Sequence, residues 1–437
     1  MSNSKTALHP ELERRALPVF DAPALAPAIG ETAALARPAI HQFIDLADIP
    51  LRAWSHLAAC AIEPNAFYDP AWARAVSAHA RGRSRAKALL VWDGPERKTL
   101  IGMLPVVSAW RALKLPLPVL VAWQAYAPLT TPLLDRDAAE EAAIGLLDAA
   151  RLAGAGAILF PDLAQDGPAA AAIFAALARR GIRPHIHETH LRAHLDARGD
   201  AATLLRDALG PKKLKELRRQ RNRLADLGPV EFQVARAPDE VVPALETFLA
   251  LEAKGWKAKR GTALAQHDGD HRFIREAVTA LAATPKSAIA DLGAFESPIS
   301  GRSEIGGRVE IATLSHGGVP VACGVLLRHQ RRAYFFKIAI DEAEARTSPG
   351  VQLTLDLTRH YCEDDEIDDV DSTADADHPM IDHVWRGRQR LCHLFAPTQP
   401  DNLVTDILSG VIAGRAVARA HGGRLIRILR HFREKLR

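Results

Sequence analysis

From residue 39 onward the chain switches repeatedly between two rhythms. Short apolar runs fit strands, and longer stretches with apolar residues three or four apart fit amphipathic helices. The runs AKALLVW (86–92), TLIGMLPVV (99–107) and VLVAW (119–123) predict three strands, the first two joined through the turn DGPERK as a hairpin. Asp69 followed by Pro70 predicts a helix start, with the carboxylate accepting from the first free N–H groups and proline supplying a pre-set φ. An amphipathic stretch at 137–153 stops at Gly154, a strand follows at 157–160, a helix at 168–180 ends at Gly181, and a last strand covers 184–195.

The second half repeats this scheme. A helix pair over 200–227 is stopped by Gly228-Pro229. A strand is predicted at 230–235, helices at 238–254 and 270–283, and strands at 287–292, 308–315, 319–328 and 332–340. A loop over 341–349 then leads to a helix at 350–362, a strand at 367–371, a helix near 378–386 and a final strand at 391–395. Residues 296–307 read as an inserted loop. The order of elements predicts an α/β protein built from two similar domains: mixed, mostly antiparallel sheets flanked by helices. The expected divisions are an Ala/Pro-rich arm at 1–38 with a short helix around 10–16, a degenerate first domain at 39–199, a second domain at 200–397 and a basic helical tail at 398–437.

Composition narrows the classes. Of 437 residues 48% are hydrophobic and 25% charged, and the formal net charge is +4, too small for a whole-molecule field directed at nucleic acid. Cys60, Cys323, Cys362 and Cys392 are scattered without metal-ligand spacing, which predicts reduced thiols and no metal site. No apolar run has the length of a membrane span and the first residues lack the apolar core of a signal peptide, so a cytoplasmic protein is expected.

The segment AYFFKIAIDEAEARTSPGVQL (333–353) carries the clearest chemistry. A strand runs through an acidic turn and Arg346 to Ser348-Pro349-Gly350 at the start of a helix. Free N–H groups at a helix start attract anions, glycine allows close backbone approach, and an arginine can add a two-pronged contact to phosphate. The same tripeptide also simply starts helices. Lys337 stands on the strand among apolar neighbours, where a lysine pairs with a carboxylate or extends to solvent; holding a substrate anion is the sharper reading. Glu252, Lys254, Trp256 and Lys257 surround a helix end at Gly255. They read either as a cap with a docked indole or as an acceptor wall. The leucines at 214, 217, 224 and 227 recur at helical spacing beneath the basic residues between Lys212 and Arg223, which form either a solvated face or a contact for a polyanion such as tRNA or an anionic surface.

Four segments in order, PKKLKELRRQRNRLADLG (211–228), FLALEAKGWKAKRGTAL (248–264), PVACGVLLRHQRRAYFFKIAIDEAEARTSPGVQL (320–353) and DSTADADHPMIDHVW (371–385), resemble the CelD-like group of GNAT acetyltransferases (Acetyltransf-6), associated with cellulose and exopolysaccharide synthesis and related in fold to Fem-type aminoacyltransferases. The resemblance implies a tandem GNAT fold and an acyl-CoA co-substrate, acetyl-CoA first. The donor would lie beside Ile338 and Ala339, with its pyrophosphate at Arg346, Ser348, Gly350 and Val351. The chain departs from the usual Arg/Gln-x-x-Gly-x-Gly/Ala signature, having Arg346 and one glycine four positions later. The implied reaction is direct attack of a small-molecule or glycan amine on the thioester, with Lys337, Trp256 and Lys257 toward the acceptor and Asp371 or His378 as base. A Fem-like transfer from aminoacyl-tRNA and a non-catalytic partner with the same fold are the alternatives.

Overall fold

A computed structural model describes residues 39–82, 85–283, 307–400 and 406–414. In the first half the strands are β1 (Ile40–Asp45), β2 (Lys87–Trp92), β3 (Leu100–Ser108), β4 (Val119–Ala122), the two-residue β5 (Leu133–Leu134), β6 (Ala157–Ala164) and β7 (His185–Asp196). The helices are α1 (Leu51–Cys60), α2 (Pro70–His79), α3 (Ala109–Leu113), α4 (Ala139–Leu152) and α5 (Pro168–Arg179). The second half contains α6 (Ala201–Ala225), β8 (Val230–Ala235), α7 (Pro238–Lys254), α8 (Trp256–Lys259), α9 (Asp268–Ala283), β9 (Val309–His316), β10 (Val319–His329), β11 (Arg332–Ile340), α10 (Pro349–Cys362), β12 (Asp369–Asp371), α11 (Ile381–Val384) and β13 (Gly387–Pro397).

The α/β class and the mixed, mostly antiparallel sheet are as expected. Local signals explain most elements. Asp69 caps α2 by accepting from the Ala71 N–H, with Pro70 at the first helical position. Gly210, at φ 70°, breaks α6 into two segments just before Pro211. Several bounds differ from expectation. The strand expected at 367–371 is only Asp369–Asp371, and the helix near 378–386 is only Ile381–Val384, while β6 and β13 are longer than their apolar runs. Helix α1 and strand β1 carry weak patterns and were not expected as such. The strand expected at 287–292, the loop at 296–306, the arm at 1–38 and most of the tail lie outside the described residues; residues 406–414 are helical.

Both halves follow one order: strand, helices, three antiparallel strands, helix, parallel strand, helix, strand. The two sheets are nevertheless one. Thirteen strands join in the path β1-β2-β3-β4-β6-β13-β7-β12-β11-β10-β9-β8, with β5 on β3. The last strand of each half has crossed into the other. Strand β13 pairs with β6 through Leu391–Ala164 and onward, and β7 pairs with β12 through Asp371–His194. The path is therefore symmetric about the β13–β7 pair, and no break in the sheet falls at 199–200.

Two apolar cores form, the larger covering both faces of the first-half strands and one face of the second-half strands. The larger runs from Trp54, Phe67 and Trp72 through Phe248 and Phe273 to Tyr334 and Phe395. The smaller gathers Ala193, Leu195, Leu217, Phe335, Leu353, Tyr361 and Trp385 beneath α6, α10 and α11. Cys323 is fully buried in the larger core, as expected of a core thiol, and all four cysteines are free.

Candidate functional site

Strand β12 is too short for its neighbours. It pairs with β11 in parallel only from Arg332–Asp369 to Tyr334–Asp371. On its other side it pairs with β7 from Asp369–Asp196 to Asp371–His194. Beyond Asp371, β11 continues to Ile340 and β7 extends back to His185, so one strand is missing between them. The gap between strands two places apart is about 10 Å before splaying. The edge of β11 past Phe335 therefore has no strand partner on this side.

A bulge sets the side chains at this edge. Val325 faces Lys337 and Leu326 faces Phe335, which leaves Phe336 as the extra residue. Bulges break the alternation of side chains and re-aim them. Phe335 packs with Trp385 in the smaller core, whereas Phe336 stacks edge-on to Trp72 at 4.8 Å in the larger one. Lys337 points to the same side as Phe336 and reaches Glu252 on α7 at 3.0 Å. Lys257, on α8, lies 3.5 Å from the same carboxylate and donates from Nζ to the Ile338 carbonyl at 2.6 Å. The other oxygen of Glu252 accepts from the Leu264 N–H at 2.8 Å. One buried carboxylate thus sits between two ammonium groups. Burial, outweighing Glu252 and aided by Lys337, pulls the Lys257 amine below its ordinary range.

At the far end of β11 a turn of 3-10 helix over Glu342–Thr347 leads to Ser348, at φ 53°, and then α10. Arg346 is exposed and forms no ion pair among the described residues. No side chain caps α10, and its first turn holds no acid. Gly350 is buried with Ile338 and Ile340 behind it and the Met380 sulfur in front, 3.1 Å from where a Cβ would stand. The helix start thus lies against the open edge of β11, lined by a flexible methionine.

The first half has a matching divergence, closed by its own chain. Strands β4 and β6 pair only from Val119–Ala157 to Val121–Leu159. Residues 123–132 fill the space beyond: Gln124 donates to Asp162 at 2.7 Å and Thr130 to the Pro161 carbonyl. The first turn of α4 carries Glu140 and Glu141, which would repel an anion. Of the two openings, only the second is electrostatically suited to phosphate.

The expected site residues fall into three groups. Ile338, Ala339, Ser348, Gly350 and Val351 come together around the open edge, with Arg346 on the turn beside them. Lys337 and Lys257 meet on Glu252, the carboxylate partner anticipated for Lys337; Trp256 lies on α8, its side chain outside the described residues. Asp371 is buried at the closed end of the gap, accepting from the Thr373 N–H at 2.7 Å and lying 3.6 Å from Arg192. His378 uses Nδ1 to receive the N–H groups of Met380 and Ile381 at 3.3 and 3.4 Å, at the turn into α11. Missed from sequence was a cluster across the gap, comprising His190, Asp162, His393 and Glu188. The signal available was the histidine-rich run HIHETHLRAH on β7.

Among the described residues, the Glu310, His360 and Asp364 side chains are close enough to hold a metal. Their carboxylates are already taken. Arg328 meets Glu310 and Asp364 at 2.6 Å each, and Arg236 meets them at 2.9 and 3.0 Å. This is a closed ion-pair network.

Residues 211–379 match the acetyltransferase (GNAT) domain family. The matched stretch contains the bulged strand, the uncapped helix start and the short strand β12. No curated protein matches the chain. Among solved structures, similarity extends to a protein of unknown function from Bacteroides thetaiotaomicron VPI-5482, with 13% identity over 80% of this chain and 98% of that one and a TM-score of 0.42. It extends also to L-PGS from Bacillus licheniformis (12% identity, 72% and 86% coverage, TM-score 0.40) and to a tandem GNAT protein from the clavulanic acid biosynthesis pathway (14%, 83% and 100%, TM-score 0.36).

Proposed function

We propose that the second half binds an acyl-CoA, acetyl-CoA in the first instance, and transfers its acyl group to an amine. The observation that carries this reading is the unpaired edge of β11 lying against an uncapped, acid-free helix start. An extended pantetheine arm has the width and the amide groups of a strand and fits where one is absent. Its pyrophosphate would meet the free N–H groups of Gly350 and Val351, helped by the helix dipole and by Arg346. Ile338 and Ala339 would flank the arm, and Ser348 would shape the turn. The bulge at Phe336 would place the thioester where an amine arrives from the Lys337 and Lys257 side. The protein's own part is to align the two reactants, exclude water and accept a proton.

Glycan or envelope amines suit this chemistry, as does transfer from aminoacyl-tRNA. For the latter, the exposed Lys212, Lys215, Arg218 and Arg219 on α6 offer a phosphate-binding face. Acetyl-CoA should raise the melting temperature of the full chain. Gly350→Val, whose side chain would drive into Met380 and Ile340, should abolish that shift, and Arg346→Ala should reduce it. No shift with acetyl-, succinyl- or palmitoyl-CoA would overturn the reading.

A further inference from the structure

The side of the gap opposite β11 carries titratable groups that the donor reading leaves unused. Strand β13 is flanked by two irregularities at one level, near Cys392 and His393, one against β6 and one against β7. At each, an acidic residue takes a left-handed backbone: Asp162 at φ 51° and Glu188 at φ 41°. Such angles are unfavourable for residues with a Cβ and persist where surrounding structure imposes them. The result is a tight set. Asp162 Oδ1 lies 3.7 Å from His190 Nε2, and the Asp162 N–H donates to His393 Nδ1 at 3.3 Å. His393 Nε2 lies 3.6 Å from Glu188, while Gln124 fixes the second Asp162 oxygen at 2.7 Å.

The register locates this set relative to the slot. Tyr334 of β11 and His194 of β7 both align with Asp371. Counting four ladder steps along each strand into the gap, with Phe336 as the extra residue on β11, brings Ala339 and His190 to one level on either side of the missing strand. They also share a side, Ala339 belonging to the larger core. Ala193 and Leu195 face the smaller core, so alternation turns Arg192 and His190 toward the larger-core side, where Phe336 and Lys337 point. Arg192 confirms this by donating to the Pro128 carbonyl at 3.1 Å. The His190 and Asp162 side chains keep 26% and 22% of their exposure, so a ligand can reach them.

We propose that His190, oriented by Asp162, is the base for acyl transfer, and that the acceptor is an amine delivered as its ammonium ion among Asp162, Glu188 and Asp375. The inference rests on the donor slot described above. Asp162 beside Nε2 favours a proton there and leaves Nδ1, which has no partner among the described residues, as the lone pair. The bound ammonium gives one proton to solvent. Its nitrogen then forms the bond to the thioester carbon and passes a second proton to His190 Nδ1. The C–S bond breaks with its electron pair on sulfur, and the thiolate takes up that proton. Amide and thiol result, and His190 is neutral again.

The charged groups facing His190 are Asp162 on β6, His393 on β13, Arg192 on its own strand and Asp375 after β12. Burial comes first among the influences and, with Arg192 and His393, outweighs the two carboxylates, so the imidazole titrates below its ordinary range and is free to accept a proton at neutral pH. The two residues named from sequence for this role sit differently: Asp371 is buried at the closed end of the gap, its Oδ1 taken by the Thr373 N–H and its Oδ2 3.6 Å from Arg192 without a hydrogen bond, and His378 Nδ1 is taken by the turn into α11.

The test uses the full chain, acetyl-CoA and a set of primary amines (lysine, ethanolamine, glucosamine, spermidine), following thiol release from pH 5.5 to 9. His190→Gln should lower the transfer rate by about 100-fold or more and erase the acidic limb of the profile. The melting shift caused by acetyl-CoA should be unchanged. Asp162→Asn tolerates the left-handed backbone, and it should move the acidic limb to lower pH. Imidazole added to His190→Ala should restore part of the rate. Wild-type rate and profile in His190→Gln would overturn the proposal, as would a wild-type chain that binds acetyl-CoA and acylates none of the amines. Failure of acetyl-CoA to bind at all would instead remove the donor reading beneath it.

Discussion

The Lys257 ammonium donates to the Ile338 carbonyl at 2.6 Å, on the edge of β11 that has no strand partner. Asp341 pairs its N–H to Val321 on β10, so alternation turns Ile338 and Ile340 toward the gap. Lys257 therefore holds the place that an amide of an extended ligand would occupy. Lys257→Met should cost about 1–3 kcal/mol in urea denaturation, the scale for losing a charge-assisted hydrogen bond. Glu252 keeps Lys337 as its partner. The same variant should show a larger acetyl-CoA melting shift than wild type, because the carbonyl is then free. An equal or smaller shift would place the donor away from this edge.

Glu310 is the hub of the network under α10, receiving Arg328, Arg236 and the Tyr361 hydroxyl. Burial alone would raise its pKa, but the hydrogen bond from His360 and the charges of Arg328 and Arg236 bring it down to about 2. A carboxyl depressed on folding contributes stability that is present above its unfolded pKa and is lost as pH falls through the folded one. That loss should run from about pH 4.5 toward 2. Glu310→Gln leaves the nearly buried Arg328 guanidinium short of a counter-charge and should destabilise the chain by about 3–5 kcal/mol in a urea titration at pH 7.

His329 gives a separable pH effect. It is buried at the end of β10, its Nδ1 lacks a hydrogen-bond partner, and burial together with Arg308 lowers its pKa to about 3. The unfolded chain takes up a proton near pH 6.5 that the folded chain refuses, so stability falls as pH drops below that value. His329→Gln removes the linkage. Its melting temperature should decline less than that of wild type between pH 7 and 5, a window above the one governed by Glu310. Parallel declines would show that this imidazole ionises in place.

Gly145 on α4 tests how tightly the first half is packed. A Cβ there would overlap a Val91 methyl. Gly145→Ala should cost about 1–3 kcal/mol by overpacking, despite alanine's better helix propensity. Adding Val91→Ala should recover much of that loss, a coupling read from a double-mutant cycle in urea.

Much of this architecture was readable from periodicity because each strand and helix carries its own apolar rhythm and stop signals. Helix α7 ends at Lys254, before Gly255, and β11 runs through AYFFKIAI as the pattern requires. The strand and the helix start that meet at this edge were readable too, since a strand, an arginine and Ser-Pro-Gly are contiguous. Pairing partners were not. Nothing in the pattern of β13 says that it lies between β6 and β7, because an alternating strand fits any edge that buries the correct face. The His190 cluster depends on that crossing: Asp162, His190 and His393 are distant in sequence and meet only when the last strands change places. The shortness of β12 was hidden because Ile367 is apolar and buried yet lies just outside the ladder.

The crossing of β7 and β13 has a consequence for how the chain is made. Emerging from the ribosome, the first half lacks the neighbour for β6 until residue 397 has been synthesised, and β7 waits exposed through the whole second half. Neither lobe can therefore mature as an independent nascent unit. The pairings that join the lobes, β6 with β13 and β7 with β12 and β13, are contacts of long sequence separation and form only once residues 369–397 have been made.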